Sequence, residues 1–190
     1  MDLSVIAFIA LLLVVAALRI IELRISRNHQ RAMVPHGAVL VKEPLYPWLV
    51  AVHTLVLIGA AVEVVALKRP FIPALAATMF AIFLAANLVR LWVIRTLGNH
   101  WNVQVMDSTS MGVITTGPFR FVRHPNYSAV FVEMISLPLI HTAWITAIFG
   151  AVGYLSVIAQ RVPLEERALL ANPEYRAAMA AKPRFLPGLF

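Results

Sequence analysis

The fold of this chain is decided by its longest apolar stretch, residues 127–159, which reads YSAVFVEMISLPLIHTAWITAIFGAVGYLSVIA. The stretch holds 33 residues with one charged side chain, Glu133, and it is interrupted near its middle by Pro138 and His141. A membrane-spanning helix needs about 20 residues, so the length predicts two short helices joined by a tight turn. We expect the cytoplasmic ends of this hairpin to lie below the membrane surface.

The composition of the whole chain supports the same reading. Hydrophobic residues make up 61% of the 190 residues, charged residues only 13%, and the mean hydropathy is +0.81. Such a chain has too little polar surface to cover a soluble globule. The sequence therefore predicts an all-α integral membrane protein that forms a single domain over residues 1–190.

Metal and thiol chemistry find no support in the composition. The chain has no cysteine, which excludes disulfides and thiolate ligands. None of its six histidines is paired at the spacing of a helical metal site. We predict no metal centre.

Three further apolar segments precede the hairpin, at residues 3–18, 48–67 and 71–94. Polar connectors rich in proline or arginine separate them, at about residues 26–47 and 95–124. Together with the hairpin they predict about five transmembrane helices.

The region after Arg161 is predicted to be a cytoplasmic helical tail. Pro163 can occupy the first turn of a helix, and Asn172-Pro173 would end that helix. A second short helix over 174–181 and an irregular apolar segment over 183–190 would complete the tail.

The distribution of positive charge predicts the orientation. In the five-helix arrangement, Lys68 and Arg69 are the only two of the sixteen Lys and Arg residues on one side. This asymmetry places the amino terminus outside and the carboxyl terminus in the cytoplasm. The net charge of +7 then favours anionic lipid headgroups as partners, with no nucleic acid.

A polar segment precedes the hairpin and reads Gly117-Pro118-Phe119-Arg120-Phe121-Val122-Arg123-His124-Pro125-Asn126-Tyr127. Arg161, Glu165 and Glu166 follow the hairpin. A short turn makes the two helices neighbours, so these polar groups should meet and form a pocket for a small zwitterionic or anionic cofactor. The chain contains neither a dinucleotide-binding glycine motif nor a P-loop.

Four features occur together over roughly residues 98–190: this segment, the hairpin, the pair Glu165-Glu166 and the terminal Pro183-Arg184-Phe185-Leu186-Pro187. Their combination resembles the isoprenylcysteine carboxyl methyltransferase family. The resemblance implies an integral-membrane methyltransferase that uses S-adenosylmethionine. It also implies two groups of site residues. Those expected to contact the cofactor are His124, Pro125, Tyr127, Glu165 or Glu166, and Arg184, while Arg123 and Arg161 would lie nearest the methyl acceptor.

Three motifs occur in residues 1–97: Arg19-x-x-Glu22-Leu23-x-x-Ser26-x-x-x-Gln30, Glu43-x-x-Tyr46-Pro47-Trp48 and His53-Thr54. Through them this half resembles a bacterial branch of that family, which methylates hydroxyls of alkylpyrones and alkylresorcinols, and the resemblance implies a bacterial plasma membrane. The likeness implies that this half binds a lipophilic small molecule and that residues 98–190 bind the cofactor. A hydroxyl acceptor must lose a proton, and His53 or Glu22 is a candidate base. The carboxylate of a prenylated cysteine fits the catalytic half equally well.

Other interpretations stay open at this stage. Membrane sterol reductases, which use NADPH, have a similar Arg-His-x-x-Tyr hairpin, and a non-enzymatic membrane protein or small transporter is a third possibility. Glu63, Asn87, Arg90 and Glu133 are candidates for interhelical pairing and only secondarily for substrate contact.

Overall fold

The computed structural model describes residues 2–186. Within that range the chain forms six α-helices and one small antiparallel sheet, in which Val39 pairs with Asp107 and Leu40 with Met106. The elements are α1 (Leu3–Met33), β1 (Val39–Leu40), α2 (Tyr46–Ala66), α3 (Pro73–Leu97), β2 (Met106–Asp107), α4 (Pro125–Leu139), α5 (Trp144–Leu169) and α6 (Pro173–Met179).

Four of these helices, α1, α2, α3 and α5, are long and apolar enough to cross a membrane. The all-α membrane class is therefore confirmed. The helix α4 has 15 residues and is about 23 Å long, which is less than the roughly 30 Å of a bilayer core.

The predicted segments at 48–67 and 71–94 correspond closely to α2 and α3. The first segment was predicted too short, because α1 continues through residues 19–33, part of which was expected to be a connector. Proline and glycine are absent from this extension, and Pro35 lies just beyond its end. Without a breaker, the arginine-rich extension keeps its helical conformation.

The predicted start of a separate tail helix at Pro163 is wrong, since α5 runs unbroken from Trp144 to Leu169. Proline removes one backbone donor. Val162 before it and Glu166 one turn after it are both buried, so packing in the bundle keeps α5 helical on either side of Pro163. The break at Asn172-Pro173 is confirmed, and the Asn172 Oδ1 accepts a hydrogen bond from the Tyr175 amide as α6 begins. Residues 183–186 are irregular, and the rest of the predicted segment, 187–190, lies outside the described residues.

The hairpin of α4 and α5 has the tight turn that the sequence predicts, over residues 140–143, but the prediction of two short helices is wrong for α5, which continues to Leu169 and is long enough to cross a membrane. The Glu63 carboxylate of α2 accepts hydrogen bonds from the amides of Ile145 and Thr146, at 3.1 and 2.7 Å. It thereby satisfies donors at the start of α5 with a negative charge, the sign that a helix amino terminus favours. The turn is thus fastened to its neighbouring helix.

The described part of the chain holds two large apolar clusters and a small third one of Met33, Ala38 and Met106. One large cluster contains Phe8, Val64 and Leu137 and lies toward the hairpin turn, whereas the other contains Val56, Met134 and Tyr154 and lies nearer the polar segment. Helix α4 packs between α3 and α5, and α2 packs on α5. This arrangement leaves α1 with few helix contacts and opens a groove between α1 and α2.

Candidate functional site

The polar segment reaches α4 through a short helical turn, Gly117–Arg120. Gly117 has a φ of +57°, and a Cβ atom at this position would clash with the Thr96 Oγ1. Only glycine satisfies both constraints. The turn therefore packs against α3, and it places Arg123 and His124 directly before the first residue of α4.

Glu166 is the centre of an ion cluster beneath this segment. Its Oε1 lies 3.0 Å from the Arg123 Nη1 and 3.1 Å from the His124 Nε2, and its Oε2 lies 2.7 Å from the Arg184 Nη2. The Glu166 side chain is 6% exposed. A carboxylate with three such partners has little capacity left for a ligand, so Glu166 positions its neighbours.

The chain after α6 pairs with the polar segment along the backbone. The amides of Arg123 and His124 donate to the carbonyls of Pro183 and Arg184, at 2.9 and 2.8 Å. The Ser128 hydroxyl donates to the Phe185 carbonyl at 3.0 Å. Hydrogen bonding with Glu166 raises the pKa of the Arg184 guanidinium. These contacts close one side of the site.

Glu165, one residue before the cluster centre, has a different environment. Its Oε2 accepts a hydrogen bond from the Tyr127 hydroxyl at 2.5 Å, and its Oε1 lies 3.9 Å from the His124 Nδ1. The Glu165 side chain is 21% exposed and borders the main cavity. Consecutive helix residues point about 100° apart, which separates the two carboxylates.

Arg161 lies one turn earlier on α5 and faces the same cavity. Its Nη2 lies 3.0 Å from the Glu43 Oε1 and donates to the Val103 carbonyl at 2.5 Å. The guanidinium also lies 5.9 Å from the centre of the Tyr127 ring, within the range of a cation–π interaction. Burial raises the pKa of the Glu43 carboxyl, although Arg161 opposes this shift.

The extension of α1 holds the loop that supplies Val103. The Ser26 hydroxyl accepts a hydrogen bond from the Val103 amide at 3.0 Å. The His29 Nδ1 lies 2.8 Å from the Trp101 carbonyl, and the Gln30 side chain donates a hydrogen bond to that of Gln104 at 2.9 Å. Ser26, His29 and Gln30 share one helix face at spacings of three and four. The amino-terminal half thus takes part in building the site.

A cavity of about 690 Å³ connects these groups with the groove between α1 and α2. Its polar end is bordered by the predicted site residues Arg123, His124, Pro125, Tyr127, Arg161 and Glu165. Two predicted contact residues, Glu166 and Arg184, are not part of its lining. Its apolar end is formed by Ile9, Leu12, Leu13, Leu57, Ala61 and Val62.

His53 also borders the cavity, on α2. Its Nδ1 lies 2.8 Å from the Leu49 carbonyl, which can only accept, so Nδ1 carries the ring proton in the neutral form. The Nε2 is then the proton-accepting nitrogen. The ring lies edge-on to Tyr154, with the ring centres 6.0 Å apart, and the Tyr154 hydroxyl donates to the Tyr127 carbonyl.

Several buried polar atoms at the polar end have no hydrogen-bond partner among the described residues. They are the Arg123 Nε, the Arg161 Nε and Nη1, and the Asn126 Oδ1. Buried polar atoms are normally satisfied, so this end of the cavity suits a ligand with both acceptors and donors. S-adenosylmethionine has a carboxylate, an amino group and ribose hydroxyls, and these residues fit it.

Two contributors were not singled out from the sequence. Glu43 was quoted only as part of a likeness, yet it is the counter-ion of Arg161. Tyr175 of α6 borders the cavity, and burial together with the nearby Glu165 carboxylate raises the pKa of its hydroxyl. Both roles depend on contacts with residues of other elements, so the local sequence alone does not reveal them.

Comparison with known proteins gives two relatives of similar length. The chain is 26% identical over 163 residues to the uncharacterized protein YpbQ of Bacillus subtilis, which covers 85% of this chain and 96% of that protein. It is 28% identical over 156 residues to an uncharacterized protein of Haemophilus influenzae, which covers 82% of this chain and 90% of that protein. The matches extend well into the amino-terminal half.

A family model gives the third comparison. It describes the isoprenylcysteine carboxyl methyltransferase (ICMT) family and matches residues 77–171. The match begins in α3, contains the polar segment, α4 and α5, and ends before α6. Because it covers half of the 190-residue chain and the elements that build the cavity's polar end, the chain belongs to the isoprenylcysteine carboxyl methyltransferase family.

Proposed function

We propose that the protein is a membrane O-methyltransferase that takes S-adenosylmethionine from the cytosol and a lipophilic acceptor from the bilayer. The observation that carries the proposal is the single cavity joining Tyr127, Arg161 and Glu165 to the groove between α1 and α2. A water-soluble ligand suits its polar end and an alkyl or prenyl tail suits its apolar end. Family membership supports methyl transfer as the reaction.

In this proposal the polar end holds the cofactor. His124, Pro125, Tyr127 and Glu165 line it, and Glu165 would bind an amino group or ribose hydroxyl. Glu166 and Arg184 support this wall from behind. When bound, S-adenosylmethionine would supply a methyl group on a cationic sulfur; an ionised acceptor oxygen would attack the methyl carbon in line as the carbon–sulfur bond breaks and S-adenosylhomocysteine leaves.

The acceptor oxygen would lie near Arg161 and Arg123. Arg161 is fixed by Glu43, yet its Nε and Nη1 have no partner in the described part of the chain, so these donors can bind an oxyanion. For a hydroxyl acceptor, the His53 Nε2 would accept the proton that the oxygen loses. A deprotonated oxygen held by a guanidinium is a competent nucleophile.

We propose an alkylpyrone or alkylresorcinol hydroxyl as the acceptor, because the amino-terminal half supplies His53 and the anchor Glu43. Carboxyl methylation of a prenylated cysteine is a second candidate, favoured by the family match. A carboxylate is ionised at neutral pH and would not need His53. This difference in proton chemistry separates the two candidates.

We further propose five membrane-crossing segments, with α4 as the short one, the amino terminus outside and α6 in the cytoplasm. The confinement of Lys68 and Arg69 to one side supports this topology. Residues 1–97 would then contribute most of the acceptor side and residues 98–190 the cofactor side. Fusion of a reporter to each terminus tests the orientation.

The decisive experiment measures transfer of labelled methyl groups from S-adenosylmethionine to a panel of prenylcysteine, alkylpyrone and alkylresorcinol acceptors. Calorimetry with S-adenosylhomocysteine and with NADPH accompanies it. We expect binding of the former only, and transfer to a hydroxyl acceptor. Transfer to prenylcysteine alone would select the second candidate, and NADPH binding without transfer would indicate a reductase.

A further inference from the structure

A closed ring of four charged side chains lies inside the helix bundle, away from the methyl-transfer end. We call it the ionic ring, and its members are Arg19 and Glu22 of α1, Arg90 of α3 and Glu133 of α4. Arg19 contacts Glu22 at 2.7 Å and Glu133 at 2.8 Å. Arg90 contacts Glu22 at 2.6 Å, and its Nη1 lies 3.9 Å from the Glu133 Oε2.

The ionic ring is open to the cavity on one side. Arg19, Glu22 and Arg90 border the same cavity as Tyr127 and Arg161. Arg19 and Glu22 keep 17% and 19% of their side-chain surface exposed. Glu133 is 2% exposed and does not border this cavity, so it holds the two arginines without facing a ligand itself. A purely structural ion pair in an apolar bundle would be expected to bury Arg19 and Glu22 as well.

The position of the ionic ring along the cavity is set by α1. Ile9, at the apolar end, precedes Arg19 by ten residues, which is about 15 Å of helix. Ser26, which holds the loop that contacts Arg161, follows Glu22 by one turn, or about 6 Å. The ionic ring therefore lies between the apolar tail region and the acceptor oxygen.

We propose that the ionic ring, with zero net charge, binds a second oxygen in the headgroup of the acceptor. This inference rests on the proposed function and specifies its substrate class. The acceptor would be a lipid whose headgroup carries two oxygens, one that is methylated and one that is bound by the ionic ring. The Glu22 carboxylate can accept a hydrogen bond from a hydroxyl, and the guanidinium groups of Arg19 and Arg90 can donate to an oxygen. A headgroup with a single oxygen would leave the cavity-facing side of these charged groups without a hydrogen bond from the ligand, although the groups stay paired with one another.

The test compares binding of an alkylresorcinol with that of the matching meta-alkylphenol, which carries the same saturated tail and one hydroxyl fewer. Quenching of tryptophan fluorescence reports binding to the full chain in phosphatidylcholine nanodiscs, since Trp101 borders the cavity. We expect the two-hydroxyl probe to bind about tenfold more tightly or better, the effect of a hydrogen bond to a charged group. Glu22→Gln should reduce that preference to near one.

Arg24→Gln is the matched control, because Arg24 is exposed on the same helix and is not part of the ionic ring. It should keep the full preference. Binding of S-adenosylhomocysteine by calorimetry checks that Glu22→Gln is folded, and Arg19→Lys serves as the second ring variant if it is not. Lysine keeps the charge but loses the fork that reaches both Glu22 and Glu133, so the preference should again fall.

Equal binding of the two probes, binding of neither, or a preference that survives both ring variants would overturn the inference. Methyl transfer to the alkylresorcinol is measured separately. A strong ring-dependent preference without any methyl transfer would contradict the proposed function and leave the ionic ring as a binding site. Transfer with equal binding of both probes would contradict the ionic ring's role alone.

Discussion

Arg161 of α5 and Glu43 of the connector before α2 form a 3.0 Å ion pair in which each side chain is 2% exposed. The pair joins residues from the two halves of the chain at the cavity's polar end. Breaking a buried pair is costly, since it leaves an unpaired charge. Glu43 is therefore a positioning residue for Arg161, and it sets the direction of the free guanidinium donors.

Glu43 gives a prediction about pH. Burial raises the pKa of its carboxyl, so transfer activity should be fully present above that raised pKa and should fall as the pH drops through it. In Glu43→Gln this acid limb should disappear, with kcat lowered about tenfold or more because Arg161 is less well fixed. The measurement is kcat between acidic and neutral pH, and identical acid limbs in both proteins would contradict the prediction.

Glu165 and Glu166 should respond differently to the same substitution. Glu165→Gln should weaken binding of S-adenosylhomocysteine about tenfold, because the residue faces the cavity, with little change in thermal stability. Glu166→Gln should instead destabilise the protein by roughly 3 to 5 kcal/mol, because Arg123, His124 and Arg184 lose their shared anion. Calorimetry and thermal unfolding separate the two effects, and matching changes in both variants would refute the division of roles.

His53 should matter for hydroxyl acceptors only. If its Nε2 accepts the proton, His53→Gln lowers kcat about 100-fold or more for an alkylresorcinol and leaves prenylcysteine methylation, if present, unaffected. His36→Gln is the control, because His36 is exposed in the turn after α1. Full turnover of His53→Gln across the pH range would remove His53 from the chemistry.

Gly117 should be intolerant of any side chain. Gly117→Ala adds strain at a positive φ and brings its Cβ into a clash with the Thr96 Oγ1. We expect a loss of about 1 to 3 kcal/mol of stability together with weaker binding of S-adenosylhomocysteine, since the turn positions Arg123 and His124. Gly98→Ala is the matched comparison, because Gly98 has a similar φ of +52° but has open space around it. Equal losses in the two variants would mean that contact with Thr96 is unimportant.

The membrane class, the positions of α2 and α3 and the α4–α5 hairpin are predictable from the sequence. These features depend on local apolar length and on breakers such as Lys68 to Pro70 and the turn after Pro138. The hairpin also guaranteed that Arg123, His124, Arg161 and Glu165 would lie near one another, since a short turn makes consecutive helices neighbours.

Which side chains share an ion-pair or hydrogen-bond partner depends on the tertiary structure and is not predictable from the sequence. Glu165 faces the cavity and Glu166 the ion cluster because of the rotation of α5 about its axis, which packing against α2 and α4 fixes. The pairing of Arg161 with Glu43 and the ionic ring of Arg19, Glu22, Arg90 and Glu133 depend on contacts between residues far apart in the chain. The same long-range packing carried α5 through Pro163, where local propensity alone predicted a helix start.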